Sequence, residues 1–416
     1  MKKKIVIVGG GIIGLSCAYY LSQDGHEVVL IDRGKINAGC SFGNAGMIVP
    51  SHVIPLAAPG MIAQGMRWML NSKSPFYVKP RLNRELLSWG KNFYRSANEQ
   101  HVKRSMPALR DLSLLSKQLY QDLAKQSAEI AYEEKGLLML FQSEKVGEEE
   151  IHAGEIARSL GLEVDILSKE EVLKLESGTA LNAIGGVHFK SDAHLYPHKL
   201  MHFLVESCRN RGVEFKEETE VQSINLDKGK IQSVSTSTES ISGDDYVIAG
   251  GSWSSSLAKQ LGVKLSLLAG KGYSFTLLNP EERPQIPSIL CEGKVAVTPM
   301  GKDLRFGGTM EITHVGDTAI NQKRLQGIVE TANSFYPEME IQFPREEDQW
   351  FGFRPCSPDG LPYIGRSTKI PNAIIATGHA MMGLSLGPAT GKIVSSIIGE
   401  ASLPMNIERF HPERRF

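Results

Sequence analysis

Lys4-Ile5-Val6-Ile7-Val8-Gly9-Gly10-Gly11-Ile12-Ile13-Gly14 stands at the start of the chain, and its reading decides the fold. The apolar, β-branched run Ile5 to Val8 reads as a buried parallel strand that passes directly into glycines spaced G-x-G-x-x-G. A helix should follow at once, because Leu15, Ala18, Tyr19 and Leu21 keep helical spacing and Gly25 stands where a helix would stop. Glu27 to Ile31 then reads as the next parallel strand, which completes a β-α-β unit. In such a unit Gly9 allows the tight turn, Gly11 lets a pyrophosphate approach the backbone, and Gly14 lets helix and strand pack closely. The helix N-terminus, at Ile12 and Ile13, offers free N–H groups to the phosphate. Asp32 closes the second strand 18 residues past Gly14. There a carboxylate accepts hydrogen bonds from both hydroxyls of an adenosine ribose and disfavours a 2′-phosphate.

The chain has 416 residues, too many for one ordinary core, so two domains are expected. Its 46 basic residues balance 46 acidic ones, and no basic patch interleaved with aromatics appears, which argues against nucleic acid as a partner. Cys17, Cys40, Cys208, Cys291 and Cys356 are odd in number and lack a C-x-x-C pair, which fits unpaired thiols in the reducing cytoplasm. The lysines at the N-terminus precede the nucleotide strand rather than a cleavable leader, so mature sequence is expected from the start. No run of about 18 apolar residues is present to span a bilayer.

Downstream of Asp32 and Arg33, the loop Gly39-Cys40-Ser41-Phe42-Gly43-Asn44-Ala45-Gly46 is small enough for its backbone amides to approach a bound group. Met47 to Leu70 is apolar, Met-rich and broken by Pro50, Pro55 and Pro59, so it reads as a covered loop or as a segment touching a membrane surface. Helices are expected over Arg84–Ala97 and Ala108–Lys125, with Glu148 to Glu150 as the solvated start of another. Val247-Ile248-Ala249-Gly250-Gly251 is a second buried strand ending in glycines, and residues 270–311 read as β-rich. A last helix is expected over Pro388–Ile398. His194, His198 and His202 are spaced by four, but Pro197 separates the first from the helix, so no metal site is expected.

The opening unit, Val247 to Gly251, Arg354-Pro355-Cys356-Ser357-Pro358-Asp359-Gly360-Leu361-Pro362 and Thr377-Gly378-His379 together resemble the FAD-dependent amine and amino-acid oxidoreductases, the D-amino acid oxidase family. The resemblance covers nearly the whole chain, is most specific in the Arg-Pro…Pro-Asp-Gly-x-Pro stretch, and is nearest the bacterial D-amino acid and hydroxyproline dehydrogenases. It implies an α/β plus α+β architecture: a Rossmann-like FAD-binding domain from residues 1–46, 147–258 and 350–416, and a discontinuous antiparallel-β-rich substrate domain from 47–146 and 259–349. FAD contacts are expected at Gly9, Gly11, Ile12, Ile13, Gly14, Asp32, Arg33, Ser41, Asn44, Ala45, Gly46, Met47, Gly250, Gly251, Gly378, Gly383 and Leu384. The last helix would begin after Gly387 and aim its N-terminus at the flavin. Cys356 lies inside the arginine motif rather than at an attachment position, so the FAD is expected to be non-covalent.

The implied chemistry is hydride removal from the α-carbon of a D-amino acid. Arg354 matches the family arginine that grips the carboxylate, and a planar guanidinium fixes orientation as well as position. Tyr273 is a candidate donor to the substrate, and His379 lies beside the flavin in relatives without acting as a base. A hydroxyproline-like cyclic imino acid, glycine and sarcosine are the alternative substrates, and a non-catalytic flavin-binding subunit of an electron-transfer complex is the alternative of another class. Electrons would pass to a quinone or another acceptor, with Met47 to Leu70 docking peripherally on the inner face of the cytoplasmic membrane.

Overall fold

The computed structural model describes residues 1–416 except 37–38, 70–73, 80 and 82, and gives the backbone alone at 67–69. Strand Lys4–Val8, helix Ile12–Gln23 and strand Glu27–Ile31 form as the sequence dictates, the two strands parallel from Lys4↔Glu27 to Val8↔Ile31. They sit inside a six-stranded sheet ordered Tyr363–Arg366, Ala373–Thr377, Asp245–Ile248, Lys4–Val8, Glu27–Ile31, Glu214–Lys216. Its neighbours are parallel throughout except at the Tyr363–Arg366 edge. Both faces are covered, which is why these strands read as unbroken apolar runs. Ile5, Ile7, Val28 and Leu30 pack toward helix Ile12–Gln23, while Val6, Val8, Val29 and Ile31 pack into a second core with Val234 and Leu261.

A nine-stranded sheet forms the other half. Its order is Trp350–Cys356, Leu268–Leu277, Asp303–Thr313, Val295–Met300, Ser288–Leu290, Leu137–Phe141, Gly185–Phe189, Val164–Ser168, with Phe76–Val78 also pairing to Asp303–Thr313. It is mixed rather than purely antiparallel, because Leu137–Phe141 runs parallel to Ser288–Leu290 and Phe76–Val78 parallel to Asp303–Thr313.

Sheet membership does not follow the segment boundaries expected from sequence. Val164–Ser168, Gly185–Phe189 and Trp350–Cys356, assigned to the nucleotide half, pair within the nine-stranded sheet. Their alternating apolar pattern fits either sheet, and only the pairing partner decides. Conversely, helix Glu99–Gln126 buries Leu109 and Leu112 against Leu386 and Ile393 of the last helix.

Other elements also differ from expectation. Helix Glu99–Gln126 starts nine residues before Ala108 and runs through Pro107, with Asn98 capping the His101 N–H at 2.9 Å. The cap overrides the proline as a start signal. Within Met47 to Leu70 a helix forms over Met61–Met69, and residue 70 lies outside the described residues. Glu150 is not solvated, but buried against Lys294 Nζ at 2.6 Å. The last helix spans Gly383–Ile398 with Pro388 inside, and packs tightly on Ile12–Gln23, where a Cβ on Gly391 would lie 2.5 Å from the Ser16 backbone. Among the described residues no helix is long and apolar enough to cross a membrane.

Candidate active site

A cavity of about 850 Å³ opens at the carboxyl ends of Lys4–Val8, Glu27–Ile31, Asp245–Ile248 and Ala373–Thr377 and continues beneath the nine-stranded sheet. That is where open parallel sheets bind ligands. At the nucleotide end a Cβ on Gly9 would lie 2.4 Å from Ala249 O and one on Gly14 only 1.8 Å from Gly9 O, whereas one on Gly11 would meet nothing closer than Ser41 Oγ at 3.5 Å. The first and last glycines therefore make the turn, and the middle one leaves backbone open to a ligand. Asp32 accepts the Gly10 N–H at 2.6 Å and the Gly34 N–H at 2.8 Å, which fixes its carboxylate at the strand end with lone pairs to spare. The Arg33 guanidinium lies 3.8 Å over the Trp253 ring on the cavity wall.

Of the residues expected to contact FAD, Ile12, Ile13, Ser41, Asn44, Ala45, Met47, Gly250, Gly251, Gly383 and Leu384 line the cavity. Gly14, Gly46 and Gly378 do not: Gly14 packs helix on strand, and Gly46 and Gly378 make left-handed turns (φ +76° and +80°) against Leu195 O and the Tyr363 ring. The last helix presents its N-terminus to the cavity at Gly383, five residues earlier than expected. Its first turn has no acidic residue and no side-chain cap, so its N–H groups and dipole are free to stabilise negative charge there.

Arg354 lies at the other end of the cavity, partly buried, on strand Trp350–Cys356. Its guanidinium occupies the space a side chain at position 272 would take, since a Cβ on Gly272 would lie 2.3 Å from Nη2. Nη1 donates to Thr309 O at 2.5 Å. No carboxylate pairs with it among the described residues, and the only acids on the cavity wall are Asp32 and Glu220. Glu311, on the adjoining strand, is occupied: its Oε2 accepts the Tyr273 hydroxyl at 2.8 Å and faces Arg324 Nε at 3.7 Å. Arg354 is thus a cation facing the cavity with no carboxylate within ion-pair distance among the described residues, and burial lowers its pKa only from a very basic starting point.

One expected role is corrected. Tyr273 reaches the cavity wall, but its hydroxyl proton goes to Glu311, so it is not the substrate's donor. His379 Nε2 lies 3.0 Å from Thr390 Oγ1, whose own proton goes to Leu386 O at 2.9 Å, so the imidazole donates at Nε2 and leaves Nδ1 a bare, unpartnered acceptor. Burial pushes this imidazole down to about 3, which keeps it neutral at physiological pH. His52 also lines the cavity. Its Nδ1 is 3.1 Å from Ser51 Oγ, which hydrogen-bonds to the buried Asp192 carboxylate, and burial lowers its pKa to about 4. His198 and His202 flank the Phe42 ring, at 5.0 and 5.8 Å between centroids.

Arg305 was missed. Its Nη1 donates to Phe42 O at 2.8 Å and Asn44 O at 2.9 Å, while Ser274 Oγ donates to Gly43 O at 3.0 Å, so two strands of the large sheet hold the loop 39–46 in place. The signal was an arginine flanked by Leu304 and Phe306 in a strand that is buried throughout, where a buried cation requires acceptors.

The model for the family described as FAD dependent oxidoreductase matches residues 4–397. The chain belongs to that family. This FAD dependent oxidoreductase is 31% identical over 409 residues to a D-amino acid dehydrogenase of Helicobacter pylori, covering 98% of both chains. It is 32% identical over 408 residues to one of Vibrio atlanticus, covering 96% of this chain and 97% of that one. In fold it resembles glycine oxidase from Geobacillus kaustophilus, with a TM-score of 0.78 at 22% identity, over 100% of this chain and 99% of that one. FAD is its cofactor, and the residues fit: the open backbone at Gly11, the fixed Asp32 carboxylate and the uncapped helix at Gly383 would hold pyrophosphate, ribose and the ring's electron-rich edge. When bound, the flavin accepts the hydride.

Proposed function

We propose that this oxidoreductase dehydrogenates a D-amino acid, taking hydride from the α-carbon and leaving an imino acid for water to hydrolyse. The observation that carries the reading is Arg354, an unpaired guanidinium at the far end of the cofactor cavity, where a fork of donors takes up both oxygens of a carboxylate. Thr309 O and the bare position at Gly272 hold that fork still. The relatives named D-amino acid dehydrogenase support the D-series.

We further propose non-covalent FAD, because Cys356 is fully buried with its thiol turned to Met310 Sδ and Arg354 O, off the cavity wall. The electron acceptor is proposed to be a quinone reached by peripheral docking on the inner face of the cytoplasmic membrane. Supporting it, Leu87, Lys91 and Tyr94 are exposed along helix Arg84–Ser96, and Met66 is exposed on Met61–Met69, both helices packing on Phe76–Val78. Met61, offered on sequence as part of that surface, lines the cavity instead.

The test is anaerobic mixing of the yellow holoprotein with D- and L-amino acids, hydroxyproline isomers, glycine and sarcosine while following the oxidised-flavin absorbance. Bleaching by the D-series is expected. A flavin that dithionite reduces but no amino acid does would end the proposal.

A further inference from the structure

Strands Leu268–Leu277 and Asp303–Thr313 pair regularly from Leu277↔Leu304 to Tyr273↔Gly308, then resume at Lys271↔Glu311. Thr309 and Met310 therefore stand opposite the single residue Gly272, a bulge in the strand beneath Arg354. Thr309 takes up the extra residue with φ +59°. A β-branched residue pays for that left-handed conformation, where glycine would not, and such strain gathers at functional sites.

The bulge does two things at once. It turns Thr309 O onto Arg354 Nη1, and it leaves Thr309 Oγ1 buried with no hydrogen-bond partner, in a residue only 6% exposed that lines the cavity beside Arg354. A buried hydroxyl without a partner is costly unless a ligand completes it. Glycine at 309 would relieve the backbone and supply the same carbonyl, so a threonine here is accounted for by its hydroxyl.

We propose that Thr309 is a further substrate-binding residue, whose Oγ–H donates to the carboxylate that Arg354 holds. This rests on the amino-acid reading above. The class of ligand is a carboxylate anion, gripped by the guanidinium fork on one side and by the hydroxyl on the other. Arg354 supplies charge and plane, and Thr309 selects one orientation of the carboxylate within that plane.

The experiment uses holoenzyme of wild type, Thr309→Val, Thr309→Gly and Thr309→Ser, with benzoate as the carboxylate probe and its Kd read from perturbation of the flavin spectrum. Thr309→Val removes the donor but keeps the shape and the backbone carbonyl, and Thr309→Gly removes it while fitting the left-handed backbone without strain. Both should weaken benzoate about tenfold and raise KM by a similar factor with kcat little changed, at unaltered FAD content, while Thr309→Ser stays within about twofold of wild type. Wild-type benzoate affinity in the Val or Gly variant, or an equal loss in the Ser variant, would overturn the assignment. If Val and Gly weaken benzoate while no amino acid reduces the wild-type flavin, the Thr309–Arg354 anion site stands and the amino-acid reading falls.

Discussion

Arg354 concentrates the energetics of the site in one side chain. Because no acid neutralises it, a bound carboxylate completes a desolvated ion pair, and loss of one partner from such a pair costs on the order of 2–5 kcal/mol. Arg354→Ala should accordingly lower kcat/KM by about 10² to 10³ while FAD content and melting temperature hold, whereas Arg354→Lys, lacking the planar fork, should recover only a small part. Unchanged kcat/KM in the Ala variant, read by steady-state kinetics with an artificial acceptor, would remove Arg354 from the substrate's path. This residue was legible in the sequence because its surroundings, Arg354-Pro355 followed by Pro358-Asp359-Gly360, form a motif. Thr309 was not, since its left-handed backbone comes from the register between its strand and that of Gly272, 37 residues earlier in the chain, which no local pattern announces.

The loop after Met47 and the turn after Gly185–Phe189 are joined by Asp192, whose carboxylate takes both the Ser51 N–H, at 3.0 Å, and the Ser51 hydroxyl. Burial raises its pKa from 3.8 to about 7 against those two hydrogen bonds. An acid raised on folding binds its proton more tightly in the native state, so its contribution to native stability is greatest at low pH and is lost as pH rises from about 4 through about 7. The loss is on the order of 1–4 kcal/mol. Denaturant unfolding at pH 5 and pH 8 should show wild type losing stability relative to Asp192→Asn across that interval; identical pH dependence in the two would refute it. The helix Met61–Met69 inside the same loop escaped sequence reading because three prolines hide a nine-residue stretch that begins only after Gly60. By contrast the opening β-α-β unit was readable to within a residue or two, its turn, helix start and strand end each being set by local chemistry.

At the scale of the molecule the two sheets share one cavity, and the face carrying Leu87, Lys91, Tyr94 and Met66 lies on the side of the large sheet flanked by Phe76–Val78. If that face docks on anionic bilayers, wild-type holoenzyme should float with vesicles containing phosphatidylglycerol. The triple variant Met66→Ser, Leu87→Ser, Tyr94→Ser should stay in the soluble fraction with its turnover on a soluble dye intact. Equal flotation of the two proteins, or none by wild type, would dismiss the docking proposal. Which strands belong to which sheet was beyond the sequence, because Val164–Ser168 and Trp350–Cys356 carry patterns that suit either, and long-range pairing alone assigns them.

Arg305 bears on how such a protein can be re-engineered. Its bonds to Phe42 O and Asn44 O mean that the segment bordering the cofactor takes its shape from the opposite half of the molecule. A chimera that grafts a foreign substrate half onto this nucleotide half at residue 46 would strip the loop's carbonyls of the Arg305 guanidinium. Recombination points should therefore keep residues 39–46 in the same parental block as Ser274 and Arg305, so that the inherited unit is the stitched pair rather than the contiguous stretch of chain.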